Sequence, residues 1–147
     1  MEIAILGLGC FWGPEIKFSK LDGVIKTEVG YCGGNNKVTT YKEVCTGTTN
    51  HAEVVKLDFD PKIISYEKIL KYFFEIHDPT TLNSQGPDFG TQYRSEIFCL
   101  NDRQKEISEK IIKEENIKFS GKIVTKTSLV KNYCPAEEYH QKYLEKR

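Results

Sequence analysis

The sequence predicts an α+β protein built on a ferredoxin-like split βαβ core, a two-layer sandwich with additional C-terminal elements. Strand-like and helix-like segments follow one another in the order strand, helix, strand, strand, helix, strand, which is the order of that core. The length of 147 residues fits one compact domain. Hydrophobic residues make up 39% of the chain, enough to build an ordered core. We therefore expect residues 1–147 to form a single domain.

Three segments in the first half have the apolar runs or the apolar–charged alternation of β-strands: residues 2–8, 24–31 and 52–59. A helix is expected to begin near Gly13, because Pro14 suits its first position and Glu15 suits its positive end. Gly23 is expected to stop this helix. Between the second and third strands lies a long loop, 32–51, rich in Gly, Thr and Asn.

The second half begins with a helix over residues 66–77, which Ser65 can cap and the Asp78–Pro79 step ends. Its apolar residues recur at helical spacing. The remaining segments are a second long loop, a strand, a charged helix, a β segment and a short final helix opened by Pro135, over residues 78–94, 95–100, 102–115, 121–130 and from 135 onward.

In the predicted topology the ends of strands one and two and the starts of strands three and four meet at one edge of the sheet. Cys10, Tyr31 and Glu53 are expected there, together with the loop 32–51 and the loop that ends at Tyr93. Two long loops in so compact a domain more often serve a site than a fold. Their convergence therefore predicts a functional site at this edge.

Composition excludes several classes of function. The chain has 21 basic and 21 acidic residues, which gives no support for a nucleic-acid-binding face. The apolar stretch within residues 1–14 is too short to span a bilayer and has no basic lead, so we expect a cytoplasmic protein with no membrane association. The five cysteines include no CxxC pair, which argues against a zinc site. Their odd number argues against a secreted disulfide framework. No metal or cofactor is expected, and the chain is expected to act as a monomer.

Cys10 is the leading candidate for chemistry. It comes just before a helix start, where free N–H groups and the helix dipole would favour a thiolate. The alternative is a buried cysteine at a strand end. Phe11 and Trp12, two large aromatics on a tight turn, make either an exposed apolar pocket or a core plug.

Glu53 and two tyrosines are candidates for handling a proton. A carboxyl group at position 53 that points into an aromatic cavity would have its pKa raised by desolvation and could donate a proton at neutral pH. The alternative is a solvated glutamate at a strand end. Tyr41 and Tyr93 are more often core or rim aromatics unless something places them beside a reacting oxygen.

The glycines around Cys10 resemble a dinucleotide fingerprint, because Gly7, Gly9 and Gly13 follow a strand and open a helix. Their spacing is GxGxxxG, whereas the phosphate-binding turn needs its third glycine one residue earlier. Phe11 and Trp12 would also obstruct a pyrophosphate. The sequence therefore argues against nucleotide binding.

The motifs taken together resemble the peptide methionine sulfoxide reductase A family. Eight segments carry the resemblance in collinear order: GCFWGPE at 9–15, GYCGG at 30–34, TYKEVCTG at 40–47, HAEVV at 51–55, FDP at 59–61, HDPTT at 77–81, GPDFGTQYRS at 86–95 and PAEEYHQKYL at 135–144. GCFWG with GTQYRS downstream is highly specific. The resemblance implies that Cys10 is the nucleophile and that Phe11 and Trp12 form the pocket for the substrate methyl group.

The resemblance further implies that Glu53 supplies the proton, that Tyr41 and Tyr93 hydrogen-bond the sulfoxide oxygen, and that Asp88 helps to order the site. The implied reaction reduces the S epimer of methionine sulfoxide, free or in proteins, and leaves a sulfenic acid on Cys10. A sulfoxide is a poor electrophile, so thiolate, proton and oxygen-binding donors are all needed. A runner-up is a catalytically silent module that binds methionine-rich or oxidised peptides through Phe11 and Trp12.

Recycling of the sulfenic acid is the least decided step. Sulfenic acid condenses with a second thiol to a disulfide, which a thioredoxin-like partner can reduce. Many members of the family carry resolving cysteines in a glycine-rich tail, and this sequence has none there. Cys134 is expected to take the role, because it precedes Pro135 in an irregular C-terminal segment and the resemblance implies that this segment passes over the active site. Cys32 is the alternative. In the third possibility an external small thiol reduces Cys10 directly.

Overall fold

A computed structural model describes residues 1–146 as a mixed α+β fold. In chain order its elements are β1 Glu2–Leu8, α1 Trp12–Ser19, β2 Val24–Cys32, α2 Tyr41–Cys45, β3 Ala52–Phe59, α3 Tyr66–Glu75, β4 Ser84–Gln85, β5 Asp88–Phe89, β6 Ser95–Cys99, α4 Asp102–Lys118, β7 Lys126–Leu129 and β8 Cys134–Pro135. Two 3₁₀ turns, Thr91–Tyr93 and Glu138–His140, complete it.

The main sheet has six strands in the order β7-β6-β1-β3-β2-β8. Adjacent strands are antiparallel except β6 and β7, which are parallel. The central strands β1 and β3 pair Leu6 with Val55, and β3 pairs Glu53 with Tyr31 of β2. The end of β1, the end of β2 and the start of β3 therefore lie at the same edge, as the sequence predicted.

The helices form where the sequence provides caps and an apolar face. Ser65 caps α3 by accepting a hydrogen bond from the Lys68 N–H at 3.1 Å, and Asn101 caps α4 by accepting from Gln104 N–H at 2.9 Å. The apolar face of α3 packs into the core through Tyr66, Ile69, Leu70, Phe73 and Phe74. Within residues 1–146, no helix is long and apolar enough to cross a membrane.

Both long loops contain short elements that the sequence analysis did not predict. The first contains α2, which Thr40 caps by accepting from the Glu43 N–H at 3.2 Å. The second contains the β4–β5 hairpin and the 3₁₀ turn Thr91–Tyr93. Elements of two to five residues are too short to show a hydrophobic period.

The predicted final helix at Pro135 is wrong. Pro135 lies instead in the edge strand β8, opposite Gly30 of β2, and an edge position tolerates a residue without an N–H donor. A 3₁₀ turn, Glu138–His140, follows it. Other boundaries differ modestly: α1 ends at Ser19, before the glycine turn at Gly23, and α4 extends to Lys118.

Candidate active site

Cys10 lies on the turn between β1 and α1. Gly9 has φ +97°, and a Cβ added there would lie 2.8 Å from the side chain of Gln85. Both the backbone conformation and the close packing therefore require glycine at this point. Helix α1 begins immediately afterwards, and no side chain caps its first turn.

The thiol of Cys10 is half-buried, and burial is the largest of the effects that raise its pKa to about 11. A hydrogen bond from the Trp12 N–H opposes this, while the charges of Glu53 and Asp88 add to the increase. The helix start therefore favours the thiolate as expected, but desolvation outweighs it. In the free protein Cys10 is therefore a neutral thiol at neutral pH.

Glu53 is buried beside this turn, with 1% of the residue exposed. Its Oε1 accepts a hydrogen bond from the Phe11 N–H at 3.3 Å, and its Oε2 has no hydrogen-bond partner within residues 1–146. Burial raises its pKa to about 8; the Phe11 N–H lowers it, and the charge of Asp88 raises it further. At neutral pH most Glu53 side chains therefore carry a proton, so the solvated alternative does not describe this residue.

Tyr41 begins α2, and Tyr93 ends the 3₁₀ turn that precedes β6. Burial raises the pKa of Tyr93 to about 12; the charge of Glu53 contributes to the increase, and a hydrogen bond with Tyr41 opposes it. The pKa of Tyr41 is also raised, first by burial and then by a hydrogen bond with Cys45. Both phenols are therefore neutral hydrogen-bond donors in the neighbourhood of the Glu53 carboxyl group.

Asp88 lies on the β4–β5 hairpin and is partly buried. Its charge contributes to the raised pKa of Cys10, Glu53 and Tyr93, which places it near all three groups. Gln85 anchors the hairpin: its Oε1 accepts from the Asp78 N–H at 2.9 Å and its Nε2 donates to the Asp78 carbonyl at 2.8 Å.

The aromatic pair after Cys10 divides between core and surface. Phe11 is 1% exposed and packs against Tyr31, with ring centroids 5.8 Å apart. Trp12 is only partly buried, and its indole stacks on the ring of Tyr143 at 3.9 Å. Phe11 thus forms part of the floor beside Cys10, while Trp12 remains accessible to a bound molecule.

Residues 136–143, which we call the C-terminal strap, connect the elements that carry the site. Glu137 accepts one hydrogen bond from the Tyr31 hydroxyl at 2.8 Å and another from the Tyr41 N–H at 2.9 Å. The Lys142 N–H donates to the buried carboxylate of Glu15 at 2.7 Å. None of these strap residues has a role predicted from the sequence, although they lie in the motif PAEEYHQKYL. The sequence shows that Glu137 belongs to a motif, but it does not show which residues the Glu137 carboxylate contacts in the fold.

The model of one family, peptide methionine sulfoxide reductase, matches residues 2–147. The chain belongs to this family. It is an oxidoreductase by that membership. A peptide methionine sulfoxide reductase MsrA of Pelagibacter ubique is 84% identical over 147 residues, covering 100% of both chains. MsrA of Methanothermobacter thermautotrophicus is 52% identical over 99% of this chain and 87% of its own.

Solved structures of the family have the same fold. Mxr1 from Saccharomyces cerevisiae in reduced form superposes with a TM-score of 0.96 at 43% identity, over 99% of this chain and 85% of that one. The same protein in complex with Trx2 matches with a TM-score of 0.70 at 28% identity, over 97% of this chain and 84% of that one. Methionine sulfoxide reductase A of Corynebacterium diphtheriae matches with a TM-score of 0.88 at 37% identity, over 99% of this chain and 74% of that one.

For a methionine sulfoxide reductase, the placement of the other thiols decides which can reach Cys10. Tyr31 faces Phe11, so the next residue, Cys32, projects to the opposite face of the sheet. There it lies in a separate apolar cluster with Ile5, Ala52, Val54 and Phe98. Cys134 pairs directly with Tyr31 and therefore lies on the face of Phe11. Cys45 is exposed, and Cys99 is buried in the main core.

Proposed function

We propose that this chain reduces methionine S-sulfoxide, free or within proteins, with Cys10 as the nucleophile. Oxygen passes from the substrate sulfur to the sulfur of Cys10. That oxygen receives the proton of Glu53, and the proton lost by the thiol returns Glu53 to its neutral form. The products are methionine and a sulfenic acid. One observation carries the proposal: Glu53, with a pKa near 8 and an unpaired Oε2, lies against the backbone that holds Cys10.

Glu53 has the properties that the proton donor needs, since it is neutral at pH 7 and its buried Oε2 has no hydrogen-bond partner within residues 1–146. Proton delivery to the sulfoxide oxygen weakens the S–O bond as the thiol attacks. A neutral Glu53 also removes one of the charges that raise the pKa of Cys10. We assign Tyr41 and Tyr93 to hold the sulfoxide oxygen, because both phenols remain protonated donors.

Asp88 is assigned to ordering the site, since its charge reaches Cys10, Glu53 and Tyr93. Phe11 and Trp12 are assigned to the pocket for the substrate methyl group. The partial burial of Trp12 beside Cys10 supports this assignment, because an apolar surface next to the nucleophile can capture a methyl group.

We propose that Cys134 resolves the sulfenic acid, giving a Cys10–Cys134 disulfide and one molecule of water. Its place on the face of Phe11 supports this, while the opposite-face position of Cys32 argues against the alternative. Strands β3 and β2 lie between β1 and β8, so about 14 Å of strand spacing must be closed. A two-residue β8 can unpair to allow that movement. A thioredoxin-like protein or a small thiol then reduces the disulfide.

Mass mapping after one turnover without reductant tests the recycling step. A Cys10–Cys134 linkage is expected. A Cys10–Cys32 or Cys10–Cys45 linkage would transfer the role to that cysteine, and a stable sulfenic acid with the other thiols free would remove it.

The proposed reaction is separated from a silent peptide-binding module by a simple comparison. Thiol-dependent loss of a methionine sulfoxide substrate is measured for the wild type and for Cys10→Ser. Turnover by the wild type alone is expected. A wild type that binds the sulfoxide without consuming it would support the binding module instead.

The sequence supports further proposals about the assembly, location and fold of the chain. The chain acts as a monomer in the cytoplasm, without a metal or cofactor and without binding nucleic acid. Residues 1–147 form one domain. Its core is of the ferredoxin-like class, which is supported by the order β6-β1-β3-β2, with every adjacent pair antiparallel.

A further inference from the structure

His140 lies at the centre of the aromatic residues that surround the site. It ends the 3₁₀ turn of the C-terminal strap and is 2% exposed. Its ring lies within 4.2–5.7 Å, between centroids, of four others: Tyr139 at 4.2 Å, Tyr41 at 4.5 Å, Phe11 at 5.3 Å and Trp12 at 5.7 Å. A single side chain thus contacts both aromatics of the pocket and a phenol from α2.

A hydrogen bond fixes the chemical form of this histidine. The indole Nε1–H of Trp12 donates to His140 Nδ1 at 3.1 Å, so Nδ1 carries no hydrogen and Nε2 carries it. Nε2 is itself buried and has no hydrogen-bond partner within residues 1–146. An imidazolium would have hydrogen on both nitrogens and could not accept from Trp12.

The hydrogen bond to His140 adds a directional contact to the packing of the Trp12 indole against the core. The indole is only partly buried, and Tyr143 stacks on one face. The hydrogen bond to His140 restricts the rotation of the indole about its side-chain bonds, and the His140 ring packs against both Trp12 and Tyr41.

We propose that His140 is a positioning residue for the reductase: by accepting a hydrogen bond from Trp12 and packing against Phe11 and Tyr41, it holds the methyl pocket in its binding geometry. The inference rests on the proposed function, since the pocket matters only if the substrate has a methyl group to capture. His140 acts through Trp12 and contacts no reacting atom.

The charges around His140 are few. Glu137 of the strap is the acidic group that acts on it, Tyr41 and Tyr139 are the titratable groups packed on its ring, and Phe11 and Trp12 cannot ionise. Burial lowers the pKa of His140 and the charge of Glu137 opposes this, so the ring is neutral at pH 7. Acid should therefore protonate His140, break the hydrogen bond and release Trp12.

Two variants and a control test the role. His140→Asn retains an acceptor at the position of Nδ1, whereas His140→Leu removes the acceptor and keeps a buried side chain. Glu138→Gln changes an exposed residue of the same turn and is the matched control. Thermal unfolding of each variant measures the structural effect separately.

For His140→Leu we expect KM to rise about 3- to 10-fold with kcat within about twofold, the effect of one hydrogen bond on capture. His140→Asn should recover most of the loss, and Glu138→Gln should match the wild type. The proposal would be overturned if His140→Leu and His140→Asn had the same KM, whether raised or equal to that of the wild type.

A second readout does not depend on turnover or on a stable Leu variant. Trp12 is the sole tryptophan of the sequence, so intrinsic fluorescence reports its environment directly. The wild type should show an acid transition below pH 6.5, the ordinary value for histidine, and His140→Asn should lack it. The same transition in both proteins would exclude His140 as its origin. If the fluorescence arm succeeds and no sulfoxide is reduced, the proposed function fails while the His140–Trp12 contact stands.

Discussion

Replacing Glu53 with glutamine should lower activity and raise stability at neutral pH. The folded-state pKa of about 8 lies above the unfolded value of 4.5, so the native state binds more protons than the unfolded chain between these values. The contribution of the Glu53 carboxyl group to the free energy of unfolding is fully present below pH 4.5 and is lost as the pH rises through 8. Compared with a side chain that stays neutral in both states, these two pKa values lower the free energy of unfolding by about 1 kcal/mol at pH 5 and about 3 kcal/mol at pH 7.

Glutamine is neutral throughout, so the stability difference between Glu53→Gln and the wild type should grow by about 2 kcal/mol in favour of the variant from pH 5 to pH 7. Denaturant unfolding at both pH values measures it, and other titrating groups cancel in the difference. The single-turnover rate should fall about 100-fold or more, because the variant lacks the proposed proton donor. A pH-independent stability difference, or an unchanged rate, would refute a neutral Glu53 that donates a proton.

Four other outcomes follow from the site. The wild-type sulfoxide step should slow about 10-fold from pH 7 to pH 9 as Glu53 loses its proton, and a flat profile would contradict this. Trp12→Ala should raise KM more than it lowers kcat, whereas a loss in kcat alone would indicate a role in orientation. A racemic sulfoxide should be consumed to about half, since the S epimer alone is the proposed substrate; complete consumption argues against the S preference. Gly9→Ala should cost about 1–2 kcal/mol in unfolding free energy, given φ +97° and the contact with Gln85, and an equally stable variant would show that the turn relaxes.

The sheet edge that carries the site could be predicted because it depends on patterns that sequence records well. Apolar runs and the alternation of apolar with charged residues predicted β1, β2 and β3. The order of the elements predicted that Cys10, Tyr31 and Glu53 lie at one edge of the sheet. The raised pKa expected of Glu53 also agrees with the structure, since desolvation follows from its burial in that edge.

The C-terminal strap and the protonation state of Cys10 could not be predicted in the same way. Glu137 contacts Tyr31, 106 positions away in the chain, and His140 contacts Trp12, 128 positions away, and no local pattern encodes these contacts. The charge state of Cys10 is a balance between a helix start, which sequence reveals, and burial, which it does not. For Cys10 the effect of burial on the pKa is larger than that of the helix start. Pro135 lies in an edge strand for a similar reason, because it pairs with β2, which is distant in the sequence.

The most direct test of the central role of Cys10 is the stoichiometry of a single turnover without reductant. Methionine formed from methionine sulfoxide is quantified together with the oxidation state of position 10 by mass spectrometry. We expect one oxidised Cys10 sulfur, as sulfenic acid or disulfide, for each methionine formed, and no methionine from Cys10→Ser. Methionine formed while Cys10 remains a free thiol, or appreciable turnover by the serine variant, would contradict it.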